Sequence, residues 1–401
     1  MTAAPNALLR RALIGLIGFL TLVDLFAAQA ILPTLARMYG VKPSAMGVAV
    51  NASTIGMAAA GLVVALVSHR LPRRGGIWVS LALLSIPTLL LAHAPDLATF
   101  TALRIAQGVF MSAAFTLTMA YLSEQNTGAA TASALAAYIT GNVASNLVGR
   151  LVSSAVAATA GVAINFYAFA ALNLAGAALV YLTLAKAPAM AVPAGEVRRS
   201  AFARLAVHLR NRCLVASFGI GFCVLFAFLG VFTYVNFVLA DAPIRLSPMA
   251  LGLIYFVFLP SMVTTPLAGS VANRFGPRPT FFVSLGLAVA GLPLLLAPAV
   301  GPVVAGLTMV GVGTFFAQAT ATGFVGRAAQ TDRAAASGLY LASYYLGGLA
   351  GAAVVGQVYD QVGWPSAVTV VGGSLVAAAA LAASLRPATA GRRTPLLTRE
   401  A

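Results

Sequence analysis

Leu13 to Leu35, LIGLIGFLTLVDLFAAQAILPTL, is the stretch whose reading decides the fold. It is an apolar run about as long as a bilayer core demands, roughly 20 residues, and it carries a carboxylate, Asp24, in its middle. An ionised Asp at the centre of a membrane helix costs about 2.5–3.5 kcal/mol on insertion scales, so such a residue survives where it has a partner or a wet cavity. Asp24 is therefore a candidate functional residue; the alternative is an acid locked into a permanent structural pair. Arg10 and Arg11 ahead of the run resemble the start of a signal peptide, but a small-residue cleavage site is missing, and the run is read as a first membrane span.

The rest of the chain repeats this pattern. Of its 401 residues 60% are hydrophobic and 8% charged, more apolar length than a soluble core accommodates, which makes it a polytopic membrane protein. Apolar runs lie near 12–35, 44–67, 76–93, 98–122, 130–157 and 163–185, and again near 213–239, 249–271, 280–298, 301–323, 334–359 and 365–385. The expected fold is all-α: twelve transmembrane helices in two six-helix bundles, residues 1–185 and 213–385, joined by a linker, 186–212, and followed by a tail, 386–401. Within the linker, residues 200–212 alternate basic and apolar residues at roughly helical spacing, which suits either a helix along the membrane surface or a solvated connection.

The net charge of +16 would suggest a nucleic-acid partner in a soluble chain. The positions of the charges argue otherwise. Nineteen Lys and Arg fall at the termini, in the linker and in the loops of one side, against three (Arg37, Lys42, Arg245) on the other. By the positive-inside rule both termini and the linker are cytoplasmic, in a bacterial-type inner membrane, with no nucleic acid involved. Arg104 and Arg150 are left inside spans. The two cysteines, Cys213 and Cys223, belong to no metal-ligand cluster or disulfide framework and read as free thiols. The chain lacks H-E-x-x-H, G-x-S-x-G and a P-loop, and His69, His93 and His208 sit at or near loops, so neither an enzyme, a cofactor nor a metal is expected.

An internal repeat is visible. Residues 65–74, ALVSHRLPRR, align with 269–278, GSVANRFGPR, and the run 138–150 aligns with 340–352, at offsets of 204 and 202. Two similar offsets indicate a duplicated six-span unit. A short loop of the form G-x-x-x-[DN]-R-x-G-[RP]-[RK] in both halves resembles the major facilitator superfamily over nearly the whole chain. Tyr138 to Asn142 with Gly149 and Arg150, Phe232 to Leu239, and Gly338 to Gly348 resemble its YnfM-like exporters, near the twelve-span drug:proton antiporters. The resemblance implies a transporter of small molecules and protons, here expected to be a monomer in the lipid bilayer. It also implies that the loops latch a cytoplasmic gate through His69, Arg70, Arg73, Arg74, Asn273, Arg274, Gly276 and Arg278. The copies depart from the pattern at Ala65, His69, Pro72 and Asn273, which weakens an acid-based latch; His69 reads either as an exposed loop residue or as a pH-dependent interface residue. The span 5 motif of the antiporters is replaced by Gly141 and Gly149 without proline.

Arg104-Ile105-Ala106-Gln107-Gly108 resembles the family's R-x-x-Q-G motif, whose Arg is implicated in proton coupling. An Asp24–Arg104 pair is expected from that family's packing, with Arg150 as alternative partner or as a residue reaching the outer headgroups. Phe228 stands where the duplication places the equivalent of Asp24, so the proton site is confined to the first half. Substrate-binding candidates are Gln29, Tyr138, Asn142, Tyr234, Asn236, Gln318, Tyr344 and Tyr345, with Asn51 and Tyr255 reading more as helix-helix glue. An aromatic cavity poor in fixed charge suits amphipathic or weakly cationic cargo better than sugar phosphates. A passive facilitator or a sugar or amino-acid transporter of the same fold is the competing reading, a membrane enzyme the weaker one.

Cysteines introduced at positions 195 and 393 are expected to resist a membrane-impermeant thiol reagent in intact cells; efficient labelling of either overturns the orientation.

Overall fold

The structure, a computed structural model, describes residues 5–67, 71–125, 128–186, 201–329 and 332–385. Among these, all regular structure is helical. Twelve helices are long and apolar enough to cross a membrane: Leu8–Ala30, Pro43–Val64, Arg73–Leu91, Leu97–Glu124, Ser133–Ala160, Val162–Thr183, Arg212–Ala240, Pro248–Phe275, Pro277–Leu296, Val300–Ala328, Ala335–Val362 and Trp364–Ser384. These are spans 1 to 12, and they fall where the apolar runs predict them, with one correction. The run ending at Leu35 is not one helix: it stops at Ala30, turns at Ile31 and restarts as Leu32–Tyr39. Pro33 has no amide hydrogen for the Gln29 carbonyl four residues back, and its ring crowds the preceding turn.

Spans 2 and 8 are also interrupted. Span 2 breaks at Ala52, between helices Pro43–Asn51 and Ser53–Val67. Span 8 passes through two 3₁₀ turns, Tyr255–Phe258 and Thr265–Leu267, as Pro260 and Pro266 withhold amide hydrogens from the α-ladder. The linker's described part contains the helix Ala201–Leu209, after which Asn211 Oδ1 caps span 7, accepting from the amides of Cys213 at 3.0 Å and Leu214 at 3.3 Å. Span 4 is capped by Asp96, whose Oδ1 accepts from Thr99 N at 2.7 Å. That bond holds the Asp96 carboxyl below its ordinary range. Cys213 and Cys223 are free and half-buried.

The duplication is visible in the packing. Span 1 lies on span 5, span 2 on span 4, and span 3 on spans 4 and 6; spans 7 on 11, 8 on 10, and 9 on 10 and 12 repeat these pairings. Within each half the contacts bring backbones together. A Cβ on Gly141 of span 5 would stand 1.8 Å from the Gly15 carbonyl oxygen of span 1. In the second half, a Cβ on Gly347 would meet the Phe222 oxygen at 2.1 Å and one on Gly351 the Phe226 oxygen at 2.2 Å. Small residues allow this approach, which lipid cannot drive hydrophobically. Between halves, span 2 packs on span 11 and span 5 on span 8.

Gly141→Leu is expected to cost about 1–3 kcal/mol or more from overpacking, read as a lower melting temperature of the purified protein in detergent. Gly286→Leu, where an added Cβ meets nothing within 4 Å, serves as the control and is expected to leave melting unchanged.

Candidate functional site

Asp24 is buried, 2% exposed, and faces spans 3, 4 and 6 rather than the space between the halves. Its Oδ2 accepts from Asn173 Nδ2 at 2.6 Å and lies 3.0 Å from the Thr88 hydroxyl. That hydroxyl is also 2.8 Å from the Leu84 carbonyl oxygen and accepts from Gln107 Nε2 at 2.7 Å. With one proton to give, it serves the carboxylate or the Leu84 carbonyl in turn.

The expected Asp24–Arg104 ion pair is corrected: the guanidinium turns to backbone. Nη1 donates to the carbonyl oxygen of Asp24 at 3.1 Å and to Gln107 Oε1 at 2.7 Å. Nη2 donates to the Leu25 carbonyl at 3.3 Å and Ser53 Oγ at 3.2 Å, and Nε to the Val50 carbonyl at 2.8 Å. Val50 and Ser53 flank the Ala52 break of span 2, so a rigid planar cation fills the place where that helix interrupts its own ladder and ties it to span 1. The carboxylate is left to neutral donors.

Arg150 neither pairs with Asp24 nor reaches a headgroup. It is fully buried; its Nη2 donates to Gln29 Oε1 at 2.5 Å, and its Cζ lies 4.3 Å from the centroid of Tyr255 and 5.3 Å from those of Phe26 and Phe258. Gln29 Nε2 donates to Asn51 Oδ1 at 2.6 Å, and Asn51 Nδ2 donates across the halves to the Thr233 hydroxyl at 3.0 Å. Asn236 Nδ2 donates to the Gln29 carbonyl at 3.2 Å, and the Tyr255 hydroxyl to Asn236 Oδ1 at 2.7 Å. Asn51 and Tyr255 are thus glue, and so are Gln29 and Asn236. The Tyr234 hydroxyl donates to the Ala352 carbonyl and sits where a Cβ on Gly47 or Gly356 would fall. With Ser44 N donating to Asp360 Oδ2 at 3.3 Å, these bonds seal the end of the molecule away from the chain termini.

Below the seal lies a cavity of 260 Å³ between the halves. Four of the eight substrate candidates line it: Asn142, Gln318, Tyr344 and Tyr345. Tyr138 is buried behind it, its ring 5.6 Å from that of Phe115, and Gln29, Tyr234 and Asn236 belong to the seal. Asn146, one helical turn from Asn142, also lines the cavity and was not among the candidates, although the i, i+4 spacing on span 5 is a signal for it. None of the described lining residues is charged.

Of the loop residues expected to latch the other end, His69 and Arg70 lie outside the described residues. Arg73 is buried and pairs with Glu124 at 2.6 Å, and Arg74 donates to the Tyr181 carbonyl with its Cζ 4.7 Å from that ring, all within the first half. Asn273 and Arg274 are exposed, Arg274 over Phe275 at 5.2 Å; Gly276 turns the chain at φ 89° and Arg278 is half-buried.

A family model described as the Major Facilitator Superfamily matches residues 14–258 and 242–401. The inner membrane transport protein YnfM of Escherichia coli is 27% identical over 347 residues, 86% of this chain and 83% of that protein. The uncharacterized MFS-type transporter YybF of Bacillus subtilis is 24% identical over 86% of each. Among solved structures, the nucleoside transporter NupG superposes with a TM-score of 0.73 at 15% identity, covering 95% of this chain and 100% of that one. A bacterial homolog of the human lysosomal transporter Spinster, inward-facing and unoccupied, gives 0.71 at 12% identity over 96% and 95%. At these identities the two structures speak to the fold.

Asn236→Leu removes the two bonds that join Gln29 and Tyr255 through one side chain, and is expected to destabilise the sealed end by about 1–3 kcal/mol. Spin labels at positions 42 and 245 are then expected to show a longer-distance population; an unchanged distribution overturns the role of this bond.

Proposed function

Because the chain belongs to the major facilitator superfamily, and is thus a membrane transporter and not an enzyme, we propose that it exports a small amphipathic organic compound by proton-coupled antiport with alternating access. It is a multi-pass inner-membrane protein, as its Escherichia coli relative is named. In this reading both termini and the linker are cytoplasmic and the monomer is the working unit.

The observation that carries the proposal is the environment of Asp24. A carboxylate buried in mid-span is held by neutral donors, Thr88 and Asn173, while the nearby Arg104 charge is engaged by carbonyls. Its proton affinity then depends on small changes: hydrogen bonds and the positive charge favour the anion, and burial favours the acid. Asp24 is not on the cavity wall, but Leu22, Leu25 and Phe26 of the same helix are. Cargo and proton would therefore occupy opposite faces of span 1, coupled through movement of that helix. The lining of Asn142, Gln318, Tyr344 and Tyr345 among apolar residues supports small amphipathic cargo over sugar phosphates, which want clustered cations. The loop residues Arg73, Arg74, Arg274 and Arg278, with His69 and Arg70, are proposed to fasten the cytoplasmic end when it closes.

The separation of Asp24 from the cavity favours one second reading, passive facilitation, in which its hydrogen bonds are purely structural.

A pH jump on proteoliposomes, with cargo identified by an accumulation screen in deletion and overexpressing strains, separates the two. Asp24→Asn is expected to keep insertion and cargo exchange but lose uphill, pH-driven transport, and Asp24→Glu to keep part of it. Full pH-driven transport by Asp24→Asn rules the mechanism out.

A further inference from the structure

Arg150 is the charge that the coupling reading leaves unused. A guanidinium keeps its proton in proteins and offers five N–H donors, yet this one is fully buried and no described carboxylate pairs with it. One neutral acceptor, Gln29 Oε1, meets Nη2 at 2.5 Å, and Nε and Nη1 have no hydrogen-bond partner. What surrounds the cation is a cage of π faces: Phe26, Phe232, Tyr255 and Phe258, at 4.3–5.9 Å. Aromatic faces attract a cation and offset part of its desolvation, but they leave its hydrogen-bonding capacity unused.

The cage is also the roof of the cargo cavity. Phe26 lines the cavity and stands over Arg150 at the same time. Phe228 and Phe315, on the cavity wall, pack against Phe258 at ring separations of 5.8 Å each. One helical turn nearer the cavity on span 5, Asn146 lines it with both amide atoms buried and without a partner. Free donors thus run along one helix face from the cavity wall to the caged cation. Three of the four cage rings belong to the second half, so movement between the halves changes what covers the guanidinium.

We propose that Arg150, with Asn146, is the anion subsite of this cavity, and that the cargo carries a single carboxylate on an apolar, aromatic body. The proposal rests on the transport reading above and names its substrate class. The carboxylate supplies the acceptor that the guanidinium lacks, while the rings released from the cation pack on the cargo's apolar body. A doubly charged phosphate is disfavoured, because the described cavity wall holds no cation to add to Arg150 behind it. The uncharged wall lets the field of one buried charge decide the sign of the cargo, since in a low-dielectric site its attraction is weakly screened.

The test is calorimetric binding to the purified full chain, without any gradient, of benzoate, 1-naphthoate and indole-3-acetate, each against its neutral amide. At least one carboxylate is expected to bind more tightly than its amide. Arg150→Gln, checked for folding by its size-exclusion profile, is expected to weaken that carboxylate by about 30-fold or more, the lower end of what losing a partner of a buried charge pair costs. Arg150→Lys, which keeps the charge, is expected to retain part of the preference. If no carboxylate binds more tightly than its amide to the wild-type protein, or if the preference survives in Arg150→Gln, the proposal is overturned; the first of these outcomes overturns it even where a variant fails to fold. Because this readout involves no proton gradient, its failure is distinct from failure of pH-driven transport in the Asp24 experiment.

Discussion

The bond from Asn236 to the Gln29 carbonyl is the joint on which the rest of the structure depends. It exists because Pro33 cannot supply the amide hydrogen that would otherwise close on that oxygen. The end of span 1 is thereby left with an open acceptor inside a membrane protein, where an unmet carbonyl is costly, and a side chain of the other half fills it. Ser153 adds a bond to the same stretch of span 1 from within the first half, donating to the Ala27 carbonyl at 2.9 Å. The Gln29 side chain then reaches Arg150 one way and Asn51 the other. Gln29 thus gathers spans 1, 2, 5, 7 and 8 at the sealed end, its freed carbonyl taking Asn236 of span 7, which Tyr255 of span 8 joins, and its side-chain amide taking spans 2 and 5.

Two buried arginines show two ways of holding a charge without an acid. Arg104 is satisfied by backbone carbonyls at a broken helix, and its contacts all lie in the first half. It behaves as a fixed strut, and it leaves the Asp24 carboxylate to the neutral donors Thr88 and Asn173. Arg150 is held by rings drawn from both halves, so its surroundings change whenever the halves move. An uncompensated buried charge costs several kcal/mol, and a site of that kind whose cover is movable is poised for a ligand.

The distribution of contact types sets the dynamics. Inside each half, helices touch backbone to backbone at Gly141 and at Gly347 and Gly351. Such packing has no side-chain slack and makes each half a rigid unit. Across the halves, the hydrogen bonds run from Asn51 to Thr233, from Asn236 to the Gln29 carbonyl and from the Ser44 amide to Asp360, with Arg150 set over Tyr255, each worth little alone in a membrane interior. Rigid halves joined by weak, separable bonds are what a rocking transition needs.

The sequence by itself determined the class, the twelve spans, the duplication and the identity of the unusual residues. Hydropathy over span-length windows responds to burial in lipid, and a charge inside such a window is conspicuous wherever it points. What the side chains do was decided by tertiary structure. Asp24 and Phe26 are two residues apart, yet one faces Asn173 and the other the cavity and Arg150, because about 100° of helix turn separates successive residues and only the neighbours decide which face is which. Arg104 and Arg150 look alike as isolated cations in apolar runs. One is clamped at a break in span 2, through Val50 54 residues away in the chain; the other is caged in part by Tyr255 and Phe258, from a 3₁₀ turn in span 8 that is more distant still in the chain. Gln29 and Asn236 read as cavity residues because polarity in a span signals either a ligand or a partner. Only the packing, by placing a proline-freed carbonyl opposite an amide, made them the seal.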